Sequence, residues 1–290
     1  FTRDVILDRV WGWDFDGTGP GDDYTVPDSL DPSGASAGNW ASSATSGSNL
    51  PGSIHGQGVV PGSDVLVIRT VQPIGGITGD PTAANPQGND AIELQGTYDT
   101  AALDDALVLV TNCGNGTDLF QNTSSSSSAL AAGGTAGSGP GNNTAVDWST
   151  SYNDSMQAFQ VSVIGYFVGF NAAAGTSGLY RVDLATNTTE ELVEGAENLQ
   201  ILYGFSRAAP AGDGQSVNDW LTADQVPADG WEQVIAVRVG FLGRSSEVAD
   251  NDNAAQVFDI TNTDVTSPAD GRLRVPFLTT IALRNRVLVL

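Results

Sequence analysis

Seven short segments rich in β-branched and aromatic residues constrain the fold of this chain more than any other feature. Each segment is bounded by Gly, Pro, Asn or Asp, which is typical of strands separated by turns. The segments are residues 64–71, 106–112, 159–170, 179–184, 199–205, 234–244 and 272–282. With 35 Gly and 13 Pro in 290 residues, the chain is also rich in turn-forming residues. The sequence therefore predicts an α+β, mostly β fold with long loops.

The first twelve residues show a helical pattern. Apolar side chains recur on one helical face, at Val5, Ile6, Val10 and Trp11. The Gly- and Asp-rich run that begins at Gly12 stops the helix. We expect residues 1–12 to form the end of a helix, which packs on a single globular domain spanning residues 13–290.

Residues 122–150 are of low complexity. Five consecutive Ser residues from Ser124 are followed by a run of Ala, Gly, Thr and Asn. A stretch of this composition buries little apolar area to offset the entropy lost when it becomes ordered. The strands on both sides belong to one sheet system, so we interpret 122–150 as a surface insertion within the domain.

The charge balance excludes several classes of partner. The chain has 34 acidic residues and 11 basic ones, all of which are Arg, giving a formal net charge of −23. Such a field repels phosphate backbones and anionic lipid surfaces, so we expect no nucleic-acid partner. The composition is compatible with cations, with salt-rich surroundings and with an extracellular location.

Single Cys and His residues restrict the available chemistry. Cys113 has no second cysteine in the chain with which to form a disulfide. A Ser-His-Asp or Cys-His catalytic group would have to use His55, which lies in a Gly-rich loop sequence. We therefore predict a protein that is not an enzyme and needs no cofactor. A hydrolase remains as an alternative hypothesis, behind the two described below.

An acidic loop near the start is the candidate metal site. Carboxylates two residues apart and followed by Gly present hard oxygens around a turn, as calcium loops do. The candidate ligands are Asp14, Asp16, Asp22 and Asp23. The full EF-hand pattern is absent, because residue 25 is Thr where that pattern requires Glu. A solvated acidic loop is the alternative interpretation.

Two of the six tryptophans are candidates for exposed adhesive contacts. Trp40 and Trp148 lie in loop sequences rich in Gly and Ser. Exposed aromatic rings of this kind bind sugars or other surfaces. A carbohydrate-binding or adhesive extracellular β module is therefore the alternative function.

Several motifs in the C-terminal half resemble one known family. They are ELVEGAENLQILYG at 191–204, WEQVIAVRV at 231–239 and GRLRVPFLTTIALRNR at 271–286. In this order they are similar to the PilW family of type IV pilus minor pilins. The opening FTRDVILDRVWG, DVLVIR at 64–69 and LVLVTNCGNGTDLFQ at 107–121 also resemble family segments.

The resemblance implies a pilin-like fold, in which the end of an N-terminal helix packs on antiparallel sheets. It implies a non-catalytic minor pilin of the priming and tip complex, with other minor pilins and the major pilin as partners. The family's membrane-anchoring apolar helix is missing from the sequence, whose longest apolar stretch, 161–170, is about half of the ~20 residues that cross a bilayer. The implied location is the periplasmic side of the inner membrane before assembly and the bacterial cell surface afterwards.

Two sets of residues are candidates for the interface with other pilins. The first is the predicted helix face of Val5, Ile6, Val10 and Trp11. The second is a C-terminal Arg cluster, at Arg272, Arg274, Arg284 and Arg286. These arginines pair either with acidic faces of neighbouring pilins or with the chain's own carboxylates. We expect the isolated ectodomain to be monomeric.

The net charge of −23 also leads to a prediction about salt. Like charges on the folded surface repel each other, and salt screens this repulsion within about 10 Å at 0.1 M. We expect the melting temperature to rise with NaCl concentration up to molar levels, as measured by circular dichroism. A flat or falling curve would show that self-repulsion does not limit stability.

Overall fold

The computed structural model describes residues 9–44, 49–83, 86, 90–112, 116–133, 142, 147–152, 156–207, 212, 216–249 and 254–283. The structure is mostly β, with 48% strand and 6% helix, and its strands form curled antiparallel sheets. The β-rich prediction is therefore confirmed. The described residues form two compact units, one of residues 69–164 and 183–188 and the other of residues 9–68, 165–182 and 189–283.

The described strands, in chain order, are β1 (Val10–Phe15), β2 (Asp23–Thr25), β3 (Trp40–Ala41), β4 (Val65–Pro73), β5 (Ile92–Glu93), β6 (Leu107–Thr111), β7 (Thr117–Gln121), β8 (Ala129–Leu130), β9 (Gln157–Asn171), β10 (Thr176–Asp183), β11 (Thr188–Glu194), β12 (Ala196–Phe205), β13 (Asp219–Leu221), β14 (Val234–Val248), β15 (Val257–Ile260), β16 (Thr263–Thr266) and β17 (Arg272–Ala282). Two one-turn helices are α1 (Gly52–His55) and α2 (Thr100–Leu103). Short 3₁₀ turns span Ala37–Asn39 and Trp231–Gln233. All seven predicted segments contain a strand.

In the unit of residues 69–164 and 183–188, β6 lies between β7 and β9. A separate two-stranded sheet joins β5 to β8. The core contains apolar side chains from both sheets and from α2, including Val108, Phe120, Leu130 and Leu103.

Part of the low-complexity segment belongs to this core, so its assignment as a surface insertion is wrong for Asn122, Ala129, Leu130 and Ala132, whereas the Ser run at 124–128 is at least partly exposed. Leu130 is fully buried, and Asn122 is buried with it. The Asn122 side chain donates to the carbonyl of Leu103 and accepts from the N–H of Ala131. These bonds and the pairing of β8 with β5 satisfy polar groups that a Ser-rich chain would otherwise leave to water. Most of the remainder, 134–141 and 143–146, lies outside the described residues.

The other unit contains a sheet with the strand order β11-β10-β9-β4-β1-β3 and a second sheet with the order β13-β12-β14-β17. A third, small sheet has the order β15-β16-β2. Both larger sheets contribute to one apolar core, with Val10 and Leu66 from the first and Ile201, Tyr203 and Val237 from the second. Strand β12 is buried along its whole length, as expected of a central strand covered on both faces.

The prediction of a helix is wrong for Val10 and Trp11, because both residues lie on β1. This strand pairs antiparallel with β4, with Val10 opposite Ile68. Gly12 continues the strand. A Cβ at this position would lie 2.0 Å from the Tyr203 hydroxyl and 2.2 Å from a backbone carbonyl of β4. The close approach of Tyr203 therefore requires Gly at this position. Residues 1–8, including Val5 and Ile6, lie outside the described residues.

A buried carboxylate joins the two larger sheets of this unit. Asp64 is 2% exposed, and its two oxygens accept from the backbone N–H groups of Phe15 on β1 at 3.0 Å and Ile201 on β12 at 2.7 Å. Burial raises the pKa of Asp64 well above its usual range. Burial, followed by the charges of Asp224 and two further carboxylates, raises the pKa of the neighbouring Asp14 to about 7.

A second buried charge network fixes the start of β17. The guanidinium of Arg274 donates to both oxygens of Glu197 on β12, at 2.6 and 3.0 Å, and both side chains are almost fully buried. It also donates to both oxygens of Asp270, at 2.7 and 3.0 Å, and these bonds lower the pKa of Asp270 to about 2. Arg244 on β14 adds a contact to Glu197 at 3.2 Å. The network ties β12, β14 and β17 together.

We expect Arg274→Met to destabilise the protein by about 3 kcal/mol or more, because it removes the bidentate partner of a buried Glu197 carboxylate. The matched control is Arg181→Met, which breaks an ion pair with Glu190 whose side chains are 50% and 57% exposed. That change should cost about 1 kcal/mol or less. Urea unfolding monitored by tryptophan fluorescence measures both. Equal losses in the two variants would contradict a structural role for the buried network.

The raised pKa of Asp14 predicts that the protein is more stable in mild acid. The folded carboxyl takes up a proton near pH 7, whereas in the unfolded chain the value is 3.8, so stabilisation grows as the pH falls through 7 and is lost as it rises. We expect the free energy of unfolding to increase by about 2 kcal/mol from pH 8 to pH 5.

The control for this pH dependence is a pair of substitutions. Asp14→Asn should remove the part of the increase that Asp14 contributes, because a neutral amide replaces a group that takes up a proton. Asp28→Asn, at an exposed position outside the set of carboxylates that raise the pKa of Asp14, should leave it unchanged. Denaturant titrations at several pH values provide the measurement. A stability that falls between pH 8 and pH 5 in the unsubstituted protein would refute the assignment.

Candidate functional site

The most extensive exposed apolar feature of the described residues lies on β17. Five large apolar side chains of this strand are more than half exposed, namely Leu273 (59%), Val275 (51%), Phe277 (58%), Leu278 (53%) and Ile281 (51%). We call these five residues the β17 surface. No charged residue occurs between positions 275 and 283. An exposed apolar strip of this kind is typical of a surface that binds another protein segment.

Most of the β17 surface continues the face of the sheet that forms the core. Ile281 lies opposite Val237 of β14, which is buried, and Phe277 lies opposite Phe241. Because side chains alternate along a strand, Val275, Phe277 and Ile281 share the face of Val237. The same sheet face is therefore buried at its centre on β12 and exposed at its edge on β17.

The pairing of β17 with β14 and the buried Arg274 network hold these apolar side chains in position at the surface. The two strands pair over ten registered positions from Ala236↔Ala282 to Val248↔Arg272. The rings of Phe241 and Phe277 contact each other with centroids 6.0 Å apart. The buried Arg274 network then fixes the other end of the strand. The surface is thus preorganised, which lowers the entropic cost of binding a partner.

A polar cavity of about 400 Å³ lies beside the start of β17. Its lining includes two arginines, Arg244 and Arg272. Arg244 contacts Glu197, and Arg272 donates to the backbone carbonyls of Ser245 and Ser246. Arg272 and Arg274 both also contact the carboxylate of Asp270, so pairing with the chain's own acids, one of the two interpretations of the arginine cluster, is correct for these two residues. Arg284 and Arg286 lie outside the described residues.

Charge interactions link Asp14 to Asp22 and Asp16, yet the four calcium candidates form no ligand cluster among the described residues. Asp14 is largely buried, whereas Asp16 is exposed. Asp22 closes a local turn by accepting from the N–H of Gly19 at 2.9 Å, and Asp23 lies on β2 opposite Asp264. In the part of the chain that the structure describes, no three His, Cys, Asp or Glu residues are arranged to hold a metal ion.

The prediction that Trp40 is exposed is wrong. Its side chain is fully buried, its indole N–H donates to the carbonyl of Ser63 at 2.8 Å, and its ring meets Phe15 edge-on. The loop-like composition around Trp40 gave no sign that its side chain is buried. The burial depends on contacts with β1 and with the segment before β4, which are remote in sequence.

Trp148 is half-buried and also engaged within the protein. Its indole N–H donates to the carbonyl of Asp90 at 2.8 Å. The ring packs edge-on against Phe120 and Tyr152, with centroids 5.0 and 6.1 Å away. Trp40 therefore offers no ring face for a sugar, and Trp148 is held in place by contacts within the protein.

His55 and Cys113 are the two residues that a Ser-His-Asp or Cys-His catalytic group would require. The described residues show no such group. His55 ends α1, and its ring meets the buried ring of Trp40 edge-on, with centroids 5.9 Å apart. Cys113 lies outside the described residues. Among the described helices, none combines the length and apolar character needed to span a membrane.

Sequence reasoning identified β17 as a strand and missed it as a surface. A continuous apolar run bounded by turns is also the pattern of a fully buried strand. The only sequence signal that favours an edge position is Pro276, because Pro within a strand is confined to edges, strand starts and bulges.

The comparison with known proteins agrees with the motifs of the C-terminal half. No curated protein and no solved structure matches this chain. The matched segment of the family model contains the complete sheet β13-β12-β14-β17 and the whole β17 surface. The predicted resemblance is confirmed over this segment: residues 165–285 match PilW, the Type IV Pilus-assembly protein W family.

Proposed function

We propose that this protein is a non-catalytic minor pilin of the PilW type, which acts in the complex that primes a type IV pilus and remains at its tip. The match of residues 165–285 to PilW implies involvement in type IV pilus assembly. The observation that carries the finer proposal is the β17 surface, an exposed apolar strand within the matched segment. A subunit that works by packing against other subunits needs such a surface.

The partners in this proposal are the other minor pilins and the major pilin. A membrane-anchoring helix N-terminal to the described residues would place the protein on the periplasmic side of the inner membrane before assembly and on the bacterial cell surface afterwards. The helix would also hold several subunits side by side, so each contact between globular parts can be weak. The isolated ectodomain would accordingly be monomeric and bind its partners weakly.

The non-catalytic assignment is supported by the side chains that line the polar cavity beside β17. The polar cavity beside β17 is bordered by arginines that are engaged with the chain's own acceptors. The alternative of a carbohydrate-binding module loses its two supporting residues, because Trp40 is buried and Trp148 is engaged. No observation on the described residues favours that alternative.

We expect deletion of the gene to reduce piliation strongly, as counted by electron microscopy and by pilin in sheared surface fractions. Complementation with the full gene should restore it. Tagged full-length protein should co-purify with other minor pilins from detergent extracts. The matched control is the same extract from a strain that carries the tag on an unrelated periplasmic protein.

Two results would contradict the minor-pilin assignment. One is normal piliation in the deletion strain. The other is a stable homo-oligomer of the ectodomain in light scattering, since the proposal requires a monomer that gains partners through its stem.

A further inference from the structure

Strand β17 has a free backbone edge. It is the last strand in the order β13-β12-β14-β17, and in the described part of the chain it pairs only with β14. The N–H of Leu283 donates to the carbonyl of Ile235 at 2.8 Å. Backbone groups alternate in direction along an antiparallel strand, so odd-numbered residues from 275 to 283 face β14 and even-numbered residues face outward.

The position of Pro276 agrees with this assignment. Pro has no N–H to donate, and residue 276 is one of the outward-facing positions. Beyond it, Leu278, Thr280 and Ala282 each direct an N–H and a carbonyl away from β14. This outward row lies next to the exposed side chains of Leu278 and Ile281.

Natural sheets protect such edges with charged side chains, bulges or covering segments. Here residues 275–283 carry no charge, and β17 is exposed on both faces from 275 to 282. The described register with β14 is regular along residues 274–282 and therefore shows no bulge there. Apart from Pro276, the edge lacks the features that prevent pairing with another strand.

We propose that the outer edge of β17 binds an extended strand of another pilus subunit, which adds to the sheet β13-β12-β14-β17 as its fifth strand. The assignment of the partner to the pilus rests on the proposed function. Main-chain hydrogen bonds to Leu278, Thr280 and Ala282 provide the binding, and the β17 surface receives alternate side chains of the added strand.

Charge favours a different subunit over a second copy of this chain. Each copy has a formal net charge of −23, so two copies repel each other. A cavity of about 260 Å³ beside the edge is lined by one acid and one base, Asp259 and Arg238, together with Leu278 and Thr280, so the basic preference rests on the net charge of the chain. The fitting partner strand is therefore apolar in its centre and neutral or basic at its flanks.

The test uses the full-length protein co-expressed with each of the other pilins of the same pilus. Thr280→Pro removes an outward N–H and leaves the bonds to β14 in place. We expect it to weaken co-purification with the partner pilin by roughly tenfold or more, since it deletes a main-chain bond and obstructs its neighbours. Thr280→Val is the matched control, which loses only the hydroxyl and should bind like the unsubstituted protein.

Hydrogen exchange of the complex keeps the proposal testable if Thr280→Pro fails to fold. The amides of Leu278, Thr280 and Ala282 should exchange quickly in the free protein and slowly in the complex. The amides of Thr279 and Ile281, which face β14, should be protected in both. Unchanged exchange of the outward amides on complex formation would overturn the proposal.

Other occupants of the edge give different results, and each overturns the proposal. Outward amides that are protected in the monomer and become exposed when residues 284–290 are deleted would assign the edge to the chain's own C-terminal segment. Protection that appears together with a doubled mass, without any other pilin, would assign it to a second copy. If Thr280→Pro still co-purifies with the partner pilin, only the proposal of edge binding is overturned. If the unsubstituted protein co-purifies with no pilin at all, the proposed function is overturned as well.

Discussion

The two hydrogen bonds of the Asp64 carboxylate are the interaction on which the unit of residues 9–68, 165–182 and 189–283 depends. One oxygen accepts from β1 and the other from β12, so a single side chain connects the two large sheets. The backbone N–H of Asp64 also donates to Leu199 on β12 at 2.7 Å, and the side chains of Asn198 and Gln200 donate to the carbonyl of Gly62. A buried polar group is costly unless its bonds are made, so this segment admits one arrangement of the sheets.

That junction explains why the rest of the unit tolerates an exposed strand. The core is fixed by β1 and β12, and the Arg274–Glu197 pair then fixes β17 from within the same sheet. Apolar residues at the outer end of the sheet can therefore remain exposed without collapsing onto the core. The chain has a net charge of −23, and residues 275–283, in β17 and at its end, carry no charge. Another acidic chain therefore meets less like-charge repulsion at the β17 surface than elsewhere.

Local sequence patterns predicted the strands well and the position of single side chains poorly. All seven predicted segments contain strands, because β-branched and aromatic runs between turn residues depend little on remote contacts. The 3.6-residue spacing of Val10 with the residues before it suggested a helix, but pairing with β4 decided its conformation. Trp40 and Leu130 lie in loop-like sequences and are nevertheless buried, since their neighbours come from distant parts of the chain.

The sequence by itself determined the β-rich class, the acidic surface and the PilW resemblance, because these follow from composition and from short motifs. Only the tertiary structure decided which apolar strand is central and which is an edge: β12 and β17 are both rich in apolar residues, yet one is buried throughout and the other is exposed. It also decided that Asp14 is largely buried, which raises its pKa to about 7. The physical reason is that burial, pairing and raised pKa values arise from residues far apart in sequence, whose approach no local pattern records.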